Sequence, residues 1–479
     1  MSVSNLNNYS IPQVQRALVL QGGGALGAYQ AGVFKCLCEK IKESHDDEDK
    51  EDVVPLFDII AGTSIGAING AILVSYFLEN KTWEGASEKL EAFWKYLSTP
   101  TPNISEALKQ WKVEYAKGNP SIASEESARR YYSAKEFSKS GVENVFKPLK
   151  PPKQDNRFCD SQNQWLVYDN QPLRKSIEKF AKFPIATSID KCEPRLLVVS
   201  VDAGEGTTVT FDSYESDEGK RESVYGDVHL GKSIIIQYDE GIGIKHLMAS
   251  SSIPEVYDYE EIDGHKFWDG GLLSNTPVKE LVEAHQRFWE KRIGSKNLED
   301  SFRIITKGKE TDKDSDVYSK KTQVQHQIQR IPDLEIYIVN LLDPKENGNN
   351  SIGNMVPQDF DGVKGRHMDI RLGKGHDLEI YGLYADHINL IEKLIALGEK
   401  DKLLQEKINR ILDEYTPRRF MTEQIKRNID TIKSSFKIVK ITQIQRRDDN
   451  NSISGKLADF TSETIDRLII DGYQDAMSK

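Results

Sequence analysis

The chain has 479 residues and a net charge of −11, from 64 basic and 75 acidic side chains. This length predicts two or three domains at roughly 100–200 residues each. The acidic balance argues against a nucleic-acid-binding protein, which needs clustered basic side chains. The four cysteines form no C-x-x-C pair, which argues against a zinc ribbon or a thioredoxin-like motif.

The start of the chain carries no pattern of a targeting segment. Residues 1–15 are polar and predict a loose arm, without the basic start and apolar run of a secretory signal peptide. The most apolar stretch, residues 65–78, is interrupted by Asn69 and Ser75 and is shorter than the about 20 residues that span a bilayer. We therefore expect a cytoplasmic protein without a transmembrane segment, which can meet a membrane only at its periphery.

A glycine triplet follows the first predicted strand. Residues 17–20 are apolar, Gly22, Gly23 and Gly24 come next, and a helix with apolar residues at helical spacing covers residues 28–41. Consecutive glycines allow backbone N–H groups to converge on one oxygen atom, as an oxyanion hole requires. Glycines that only permit tight packing between strand and helix are the plain alternative.

The same turn also fits the dinucleotide fingerprint G-x-G-x-x-G, at Gly22, Gly24 and Gly27. That interpretation requires an acidic residue about 20 positions later, at the end of a second strand. The acidic residues near that position lie in a charged run with no strand before it. A nucleotide-binding oxidoreductase is therefore a weaker hypothesis than an oxyanion hole.

A second strand, residues 57–60, leads into the motif Gly62-Thr63-Ser64-Ile65-Gly66 and an apolar helix. This is the G-x-S-x-G pattern of a nucleophile elbow, in which glycines allow a tight strand-to-helix turn. The positive end of the helix dipole favours negative charge that develops at the serine. A serine that merely caps the helix is the alternative.

The strand-helix-strand-helix order of this opening predicts an α/β fold with a doubly wound, mostly parallel central sheet flanked by helices. Later segments fit that plan. They are a mostly helical insertion or lid (83–190), a strand (195–201), a hairpin pair or extended lobe (207–211 and 233–237), a helix (242–250), a strand (265–268), a helix (277–289), a strand (335–342) and a charged helical region from residue 377.

The predicted strand 265–268 ends at Asp269-Gly270-Gly271. The glycines allow a tight turn that could aim the carboxylate at the serine, and a carboxylate within hydrogen-bond reach can accept its proton directly. Asp-Gly is also a common turn dipeptide. A Ser-His-Asp triad would instead need a histidine, for which His376 and His387 are the least unsuitable candidates.

Together these motifs resemble the patatin-like phospholipase family over roughly residues 14–345. One position departs from the family's pattern, because Leu26 stands where many members carry a basic residue. The matching segments are LQGGGALGAYQAGV (20–33), GTSIGAING (62–70), ASSSIP (249–254) and DGG (269–271).

The resemblance implies a Ser–Asp dyad, with Ser64 as the nucleophile and Asp269 as the base. It implies an oxyanion hole at the backbone of Gly22, Gly23 and Gly24. The expected reaction is hydrolysis of fatty-acyl esters in lipids, without a metal or cofactor. The expected partners are the lipid substrate and, transiently, a membrane or lipid-aggregate surface.

We predict three regions: an arm (1–15), a patatin-like acyl hydrolase domain (16–345), and a linker with a helical C-terminal region (346–479). The amphipathic stretch 388–397 fits a helix packed on the core, or a surface for a membrane or a second copy of the chain. Two further hypotheses stay open. They are a Ser-His-Asp esterase of the α/β-hydrolase type and a catalytically inactive patatin-like protein that binds a lipid or a partner.

Overall fold

The computed structural model divides into two compact units. The larger contains Arg16–Val278, Tyr337–Gly375 and Thr442–Lys479, and the smaller contains Met1–Gln15, Lys279–Ile336 and His376–Ile441. The structure describes residues 11–43, 56–118, 123–154, 164–216, 219–227, 232–294, 330–342, 359–373, 403, 407, 436–447 and 451–479.

The strands of the described residues form one large sheet and two separate hairpins. The large sheet has the order β12-β11-β1-β2-β5-β10-β9, with β6 also paired to β5. The strands are β1 (Val14–Leu20), β2 (Ile59–Thr63), β3 (Lys147–Gln154), β4 (Gln164–Asp169), β5 (Arg195–Asp202), β6 (Thr207–Asp212), β7 (Glu222–Asp227), β8 (Lys232–Gln237), β9 (Glu260–Ile262), β10 (His265–Asp269), β11 (Asp333–Asn340) and β12 (Ile438–Gln445).

The pairing of the strands confirms the predicted α/β fold with a mostly parallel central sheet. Strand β2 runs parallel to both β1 and β5, whereas β6 and β10 run antiparallel to β5. Residues 207–211 and 233–237, predicted as a hairpin pair or an extended lobe, pair with other strands. They belong to β6, which joins β5, and to β8, which forms a hairpin with β7.

Helices flank this sheet. The described residues of the predicted insertion at 83–190 form four of these helices and the hairpin β3–β4. The helices are α1 (Ala28–Glu43), α2 (Ile65–Asn80), α3 (Ala86–Leu97), α4 (Ser105–Ala116), α5 (Glu125–Ser140), α6 (Gln171–Phe180), α7 (Ile244–Ser250), α8 (Val278–Ile293), α9 (Phe360–Leu372) and α10 (Ser462–Met477).

The two strands beside the elbow lie at the centre of the core. All five residues of β2 and all eight of β5 are buried, which is typical of strands covered by helices on both faces. Their apolar sequences, IIAGT and RLLVVSVD, explain that burial. The carboxyl ends of β1, β2 and β5 are thereby held at one edge of the sheet, where open α/β folds place their functional groups.

The C-terminal helix α10 packs on α1 in the larger unit. A Cβ atom at Gly32 would overlap the carbonyl of Ile469, and one at Gly472 would overlap the carbonyl of Tyr29. The two glycines thus allow the backbones to approach closely. The Tyr29 hydroxyl also donates a hydrogen bond to Asp475 Oδ2 at 3.0 Å. The predicted helical C-terminal extension is therefore present, and α10 is part of this unit's packing.

In the smaller unit, α8 carries a buried histidine with a structural contact. His285 Nε2 donates to the carbonyl of Pro332 at 2.8 Å, and the ring lies edge-on to Phe436 at 5.1 Å between centroids. Trp289 Nε1 donates to Gln15 Oε1 at 2.8 Å.

The stretch 388–397 lies outside the described residues, and the domain boundary near residue 345 stays a prediction. Among the described helices, none has the length and apolar character needed to cross a bilayer.

We expect Gly472→Ala to destabilise the protein by about 1–3 kcal/mol, because the added methyl forces α1 and α10 apart. Gly365→Ala in α9 is the matched control, since a Cβ there meets its nearest atoms at 3.7 Å. The control should be neutral or stabilising by up to about 1 kcal/mol through helix propensity. Denaturant unfolding measures both, and equal effects of the two variants would contradict the close packing of α10.

Candidate active site

Ser64 occupies a strained turn between β2 and α2. Its backbone has φ 55° and ψ −124°, a conformation that costs on the order of 1–3 kcal/mol for a residue other than glycine. A Cβ at Gly62 would overlap the backbone of Gly66, and a Cβ at Gly66 would overlap the carbonyl of Leu20. The two motif glycines are therefore required by close approach of neighbouring backbone.

The sheet brings Ser64 and Asp269 together across β5. Ser64 follows Thr63, which lies opposite Val199 on one side of β5, and Asp269 lies opposite Ser200 on the other side. Ser64 Oγ donates a hydrogen bond to Asp269 Oδ2 at 2.6 Å. The structure thus joins the predicted nucleophile and the predicted base directly, although 205 residues separate them.

Asp269 is a buried carboxylate with few partners. The residue is only 6% exposed, and its Oδ1 accepts the Gly271 N–H at 2.7 Å. Burial raises the pKa of Asp269 to about 6, and the hydrogen bonds from Ser64 and Gly271 oppose that rise only in part. A carboxylate with this pKa is a stronger base than an exposed aspartate and is still mostly ionised at neutral pH.

The two glycines after Asp269 also fill positions that tolerate no side chain. A Cβ at Gly270 would overlap the carbonyl of Val199, and a Cβ at Gly271 would lie 2.9 Å from Asn275 Oδ1. The predicted base turn therefore packs tightly against β5 on one side and against Asn275 on the other.

Asn275 links the base turn to the glycine triplet. Its side-chain amide donates to the backbone carbonyl of Gly22 at 3.1 Å and to that of Leu372 at 2.9 Å. The backbone carbonyl of Asn275 in turn accepts the Gly22 N–H at 3.1 Å. The N–H of Gly22 is therefore already bonded. Sequence reasoning gave Asn275 no part in the site, because nothing local indicates contacts with residues about 250 positions away.

The other two N–H groups of the triplet remain available. Gly24 is the first residue of a 3₁₀ turn (Gly24–Gly27) and Gly23 caps it, so the N–H groups of both come before the first N–H that bonds within the turn. Neither donates a hydrogen bond elsewhere in the described part of the chain. Gly24 has φ +53°, and a Cβ there would overlap the Leu457 carbonyl. Leu26, where the family pattern favours a basic residue, is completely buried in this turn.

No histidine in the described residues contacts Ser64 or Asp269 as an alternative base would. His376 and His387 lie outside the described residues. His246 is buried, with its pKa lowered to about 4 by burial, and its Nδ1 accepts the Gly243 N–H. His265 contacts Asp202 at 3.0 Å through Nδ1. No histidine in the described ranges bonds to either member of the Ser–Asp pair, and no group of His, Cys, Asp and Glu there could hold a metal ion.

We expect Asp269→Asn to raise the free energy of unfolding at pH 7 to 8. Burial raises the folded-state pKa from near 4 to about 6, so ionisation of Asp269 destabilises the fold by up to about 3 kcal/mol. The gain should be full at about pH 7 and above and should vanish below about pH 4, where the wild-type carboxyl is protonated in both the folded and the unfolded state. Urea unfolding at several pH values tests this, and a gain independent of pH would contradict the buried charge.

Comparison with known proteins gives a family for this chain. Residues 18–282 match the family described as patatin-like phospholipase. No match was found among curated proteins. A crystal structure of VipD from Legionella pneumophila is similar with 11% identity and a TM-score of 0.29 over 98% of this chain, and the chain spans 66% of that structure's length. Because the family match covers more than half of the chain, the protein belongs to the patatin-like phospholipase family, whose members are in general lipid acyl hydrolases.

Proposed function

We propose that this protein hydrolyses fatty-acyl esters of lipids through an acyl-enzyme on Ser64, with Asp269 as the general base. The observation that carries the proposal is the 2.6 Å hydrogen bond from Ser64 Oγ to the buried Asp269 carboxylate. Membership of the family supports a lipid as the substrate. The substrate is expected at the surface of a membrane or a lipid aggregate.

In the first step the Ser64 hydroxyl attacks the acyl carbonyl carbon and its proton moves to Asp269 Oδ2. The two oxygens are already within hydrogen-bond reach, so the transfer needs no rearrangement. The raised pKa of Asp269, about 6, makes this carboxylate a better acceptor than an ordinary aspartate. The strained turn holds the hydroxyl in place for the attack.

The tetrahedral intermediate carries a negative oxygen that needs donors. We assign this role to the N–H groups of Gly23 and Gly24, and to that of Ile65, the first residue of α2. The positive end of the α2 dipole acts in the same direction. The sequence also predicted Gly22 as part of the oxyanion hole. Its N–H is bonded to the backbone carbonyl of Asn275, so we assign Gly22 the role of holding the glycine turn in place.

The intermediate then collapses. Asp269 returns the proton to the leaving alcohol, which leaves the acyl group on Ser64. Water next attacks the acyl-enzyme while Asp269 again accepts a proton. The second tetrahedral intermediate then breaks its bond to Ser64 Oγ, which takes the proton back from Asp269, and the fatty acid is released. Every proton passes through one carboxylate, so no imidazole, metal or cofactor takes part in the proposed cycle. Stabilisation of the oxyanion must supply the help that an imidazolium would give.

A Ser-His-Asp esterase would require a histidine at the Ser64 hydroxyl, a position that Asp269 occupies. A catalytically inactive binding protein would have no need of a serine hydroxyl aimed at a buried carboxylate. Neither hypothesis is favoured by a contact in the described residues. Reaction with a fluorophosphonate probe at Ser64 separates an active serine from an inert one.

We expect Ser64→Ala and Asp269→Asn each to lower hydrolysis of a p-nitrophenyl ester by about 10⁴-fold or more, because each removes a partner in the proton transfer. His376→Ala and His387→Ala are the controls and should keep their activity. If Asp269→Asn stayed active while a histidine variant did not, the Ser–Asp mechanism would be wrong.

We expect kcat/KM to rise with pH through about 6 and to level off above it. Asp269 acts as a base only when ionised, and burial sets its pKa to about 6, so activity is lost as pH falls through that value. Initial rates with the p-nitrophenyl ester, read at the isosbestic wavelength of the product, give this profile. A limb near pH 4 would mean that the base is not a buried carboxylate.

A further inference from the structure

Ser250, the last residue of α7, has a completely buried side chain that contacts the nucleophile elbow. Its Oγ accepts the backbone N–H of Ser64 at 2.8 Å and donates to the carbonyl of Val199 at 2.6 Å. A hydroxyl has one proton to donate. The Ser250 side chain therefore joins the elbow to the central strand β5, and its one hydroxyl proton is already donated to Val199.

The strained turn explains why Ser64 needs this partner. Strand β2 ends at Thr63 and α2 begins at Ile65, so the Ser64 N–H has no partner in the sheet or in the helix. A buried N–H without a hydrogen bond costs about 1–3 kcal/mol. The hydroxyl of Ser250 removes that cost only while Ser64 keeps its present backbone position.

The same short segment also holds the predicted base. The backbone N–H of Asp269 donates to the carbonyl of Ser252 at 2.9 Å. Two residues of one segment thus bind the backbone N–H groups of both members of the pair, Ser64 through a side chain and Asp269 through a carbonyl.

We propose that Ser250 is a positioning residue, which acts through the Ser64 backbone to hold the Ser64 hydroxyl against Asp269. The proposal rests on the proposed function of the Ser–Asp pair and adds a residue that does not itself touch the substrate. The sequence segment 249–254 resembles a stretch of the family, and the hydrogen bonds of Ser250 give part of it a physical role.

The chain offers a matched control beside Ser250. Ser251 is also buried, and its Oγ donates to the carbonyl of Leu247, four residues earlier, at 2.8 Å. Ser251→Ala therefore removes a buried hydroxyl from the same helix end without touching Ser64. Ser250→Thr keeps a hydroxyl at the critical position and tests rescue.

We expect Ser250→Ala to lower kcat for the p-nitrophenyl ester by about 10–100-fold with little change in KM, because a shift of about 1 Å can cost about 100-fold in rate. Ser251→Ala should stay within about twofold of wild type, and Ser250→Thr should recover part of the loss. The acid limb of kcat/KM should move to higher pH in Ser250→Ala, since the hydrogen bond from Ser64 lowers the pKa of Asp269.

Hydrogen–deuterium exchange at the Ser64 amide gives a second measurement that needs no catalysis. Exchange should be faster in Ser250→Ala than in Ser251→Ala at matched stability. If the two alanine variants lose equal activity and the acid limb stays in place, the positioning role is overturned while the proposed function stands. If the wild-type protein hydrolyses no ester, the proposed function fails. Equal exchange rates at the Ser64 amide in the two alanine variants would separately overturn the role of Ser250.

Discussion

The hydrogen bond from the Ser64 hydroxyl to the buried Asp269 carboxylate is the interaction on which the site depends, and it is costly to maintain. Removing a carboxylate from water disfavours its charged form, which is why its pKa rises to about 6. Within the described part of the chain, only the Ser64 hydroxyl and the Gly271 N–H donate hydrogen bonds to that carboxylate. The same shortage of partners makes the carboxylate a better base, so the reactivity of the pair and its cost to stability have one cause.

Several contacts in the larger unit hold the turns that carry the Ser64 hydroxyl and the Asp269 carboxylate. Strand β5 lies between the elbow and the base turn, and its Val199 carbonyl meets both the Ser250 hydroxyl and Gly270. Asn275 ties the base turn to Gly22, where an added Cβ would lie 3.1 Å from the Ser64 Cβ. Glycines occur where backbones must approach closely. A unit that stores strain at Ser64 needs this density of contacts around it.

Some of this could be predicted from sequence because its signals are local. The G-x-S-x-G turn, its flanking strand and helix, and the α/β fold follow from short patterns, and the fold is confirmed. The turn after β10 made Asp269 one candidate partner of Ser64, and the family resemblance favoured it over a histidine, because the antiparallel pairing of β10 with β5 leaves no local mark. Ser250 lies 186 residues from Ser64, and Asn275 lies 253 residues from Gly22, so no local pattern marks these contacts. The three glycines look equivalent in the motif, but only the Gly22 N–H is bonded to Asn275. Neither that difference nor the raised pKa of Asp269 can be read from residue types, since both arise from burial and tertiary contacts.

The coupling between Ser64 and Asp269 can be measured directly by titrating the Asp269 carboxyl with ¹³C NMR, in the wild-type protein and in Ser64→Ala. The predicted result is a pKa of about 6 in wild type and a higher value in the variant, because the hydroxyl that stabilises the ionised form has been removed. A pKa near 4 in both proteins would contradict a buried carboxylate that shares its proton with the serine.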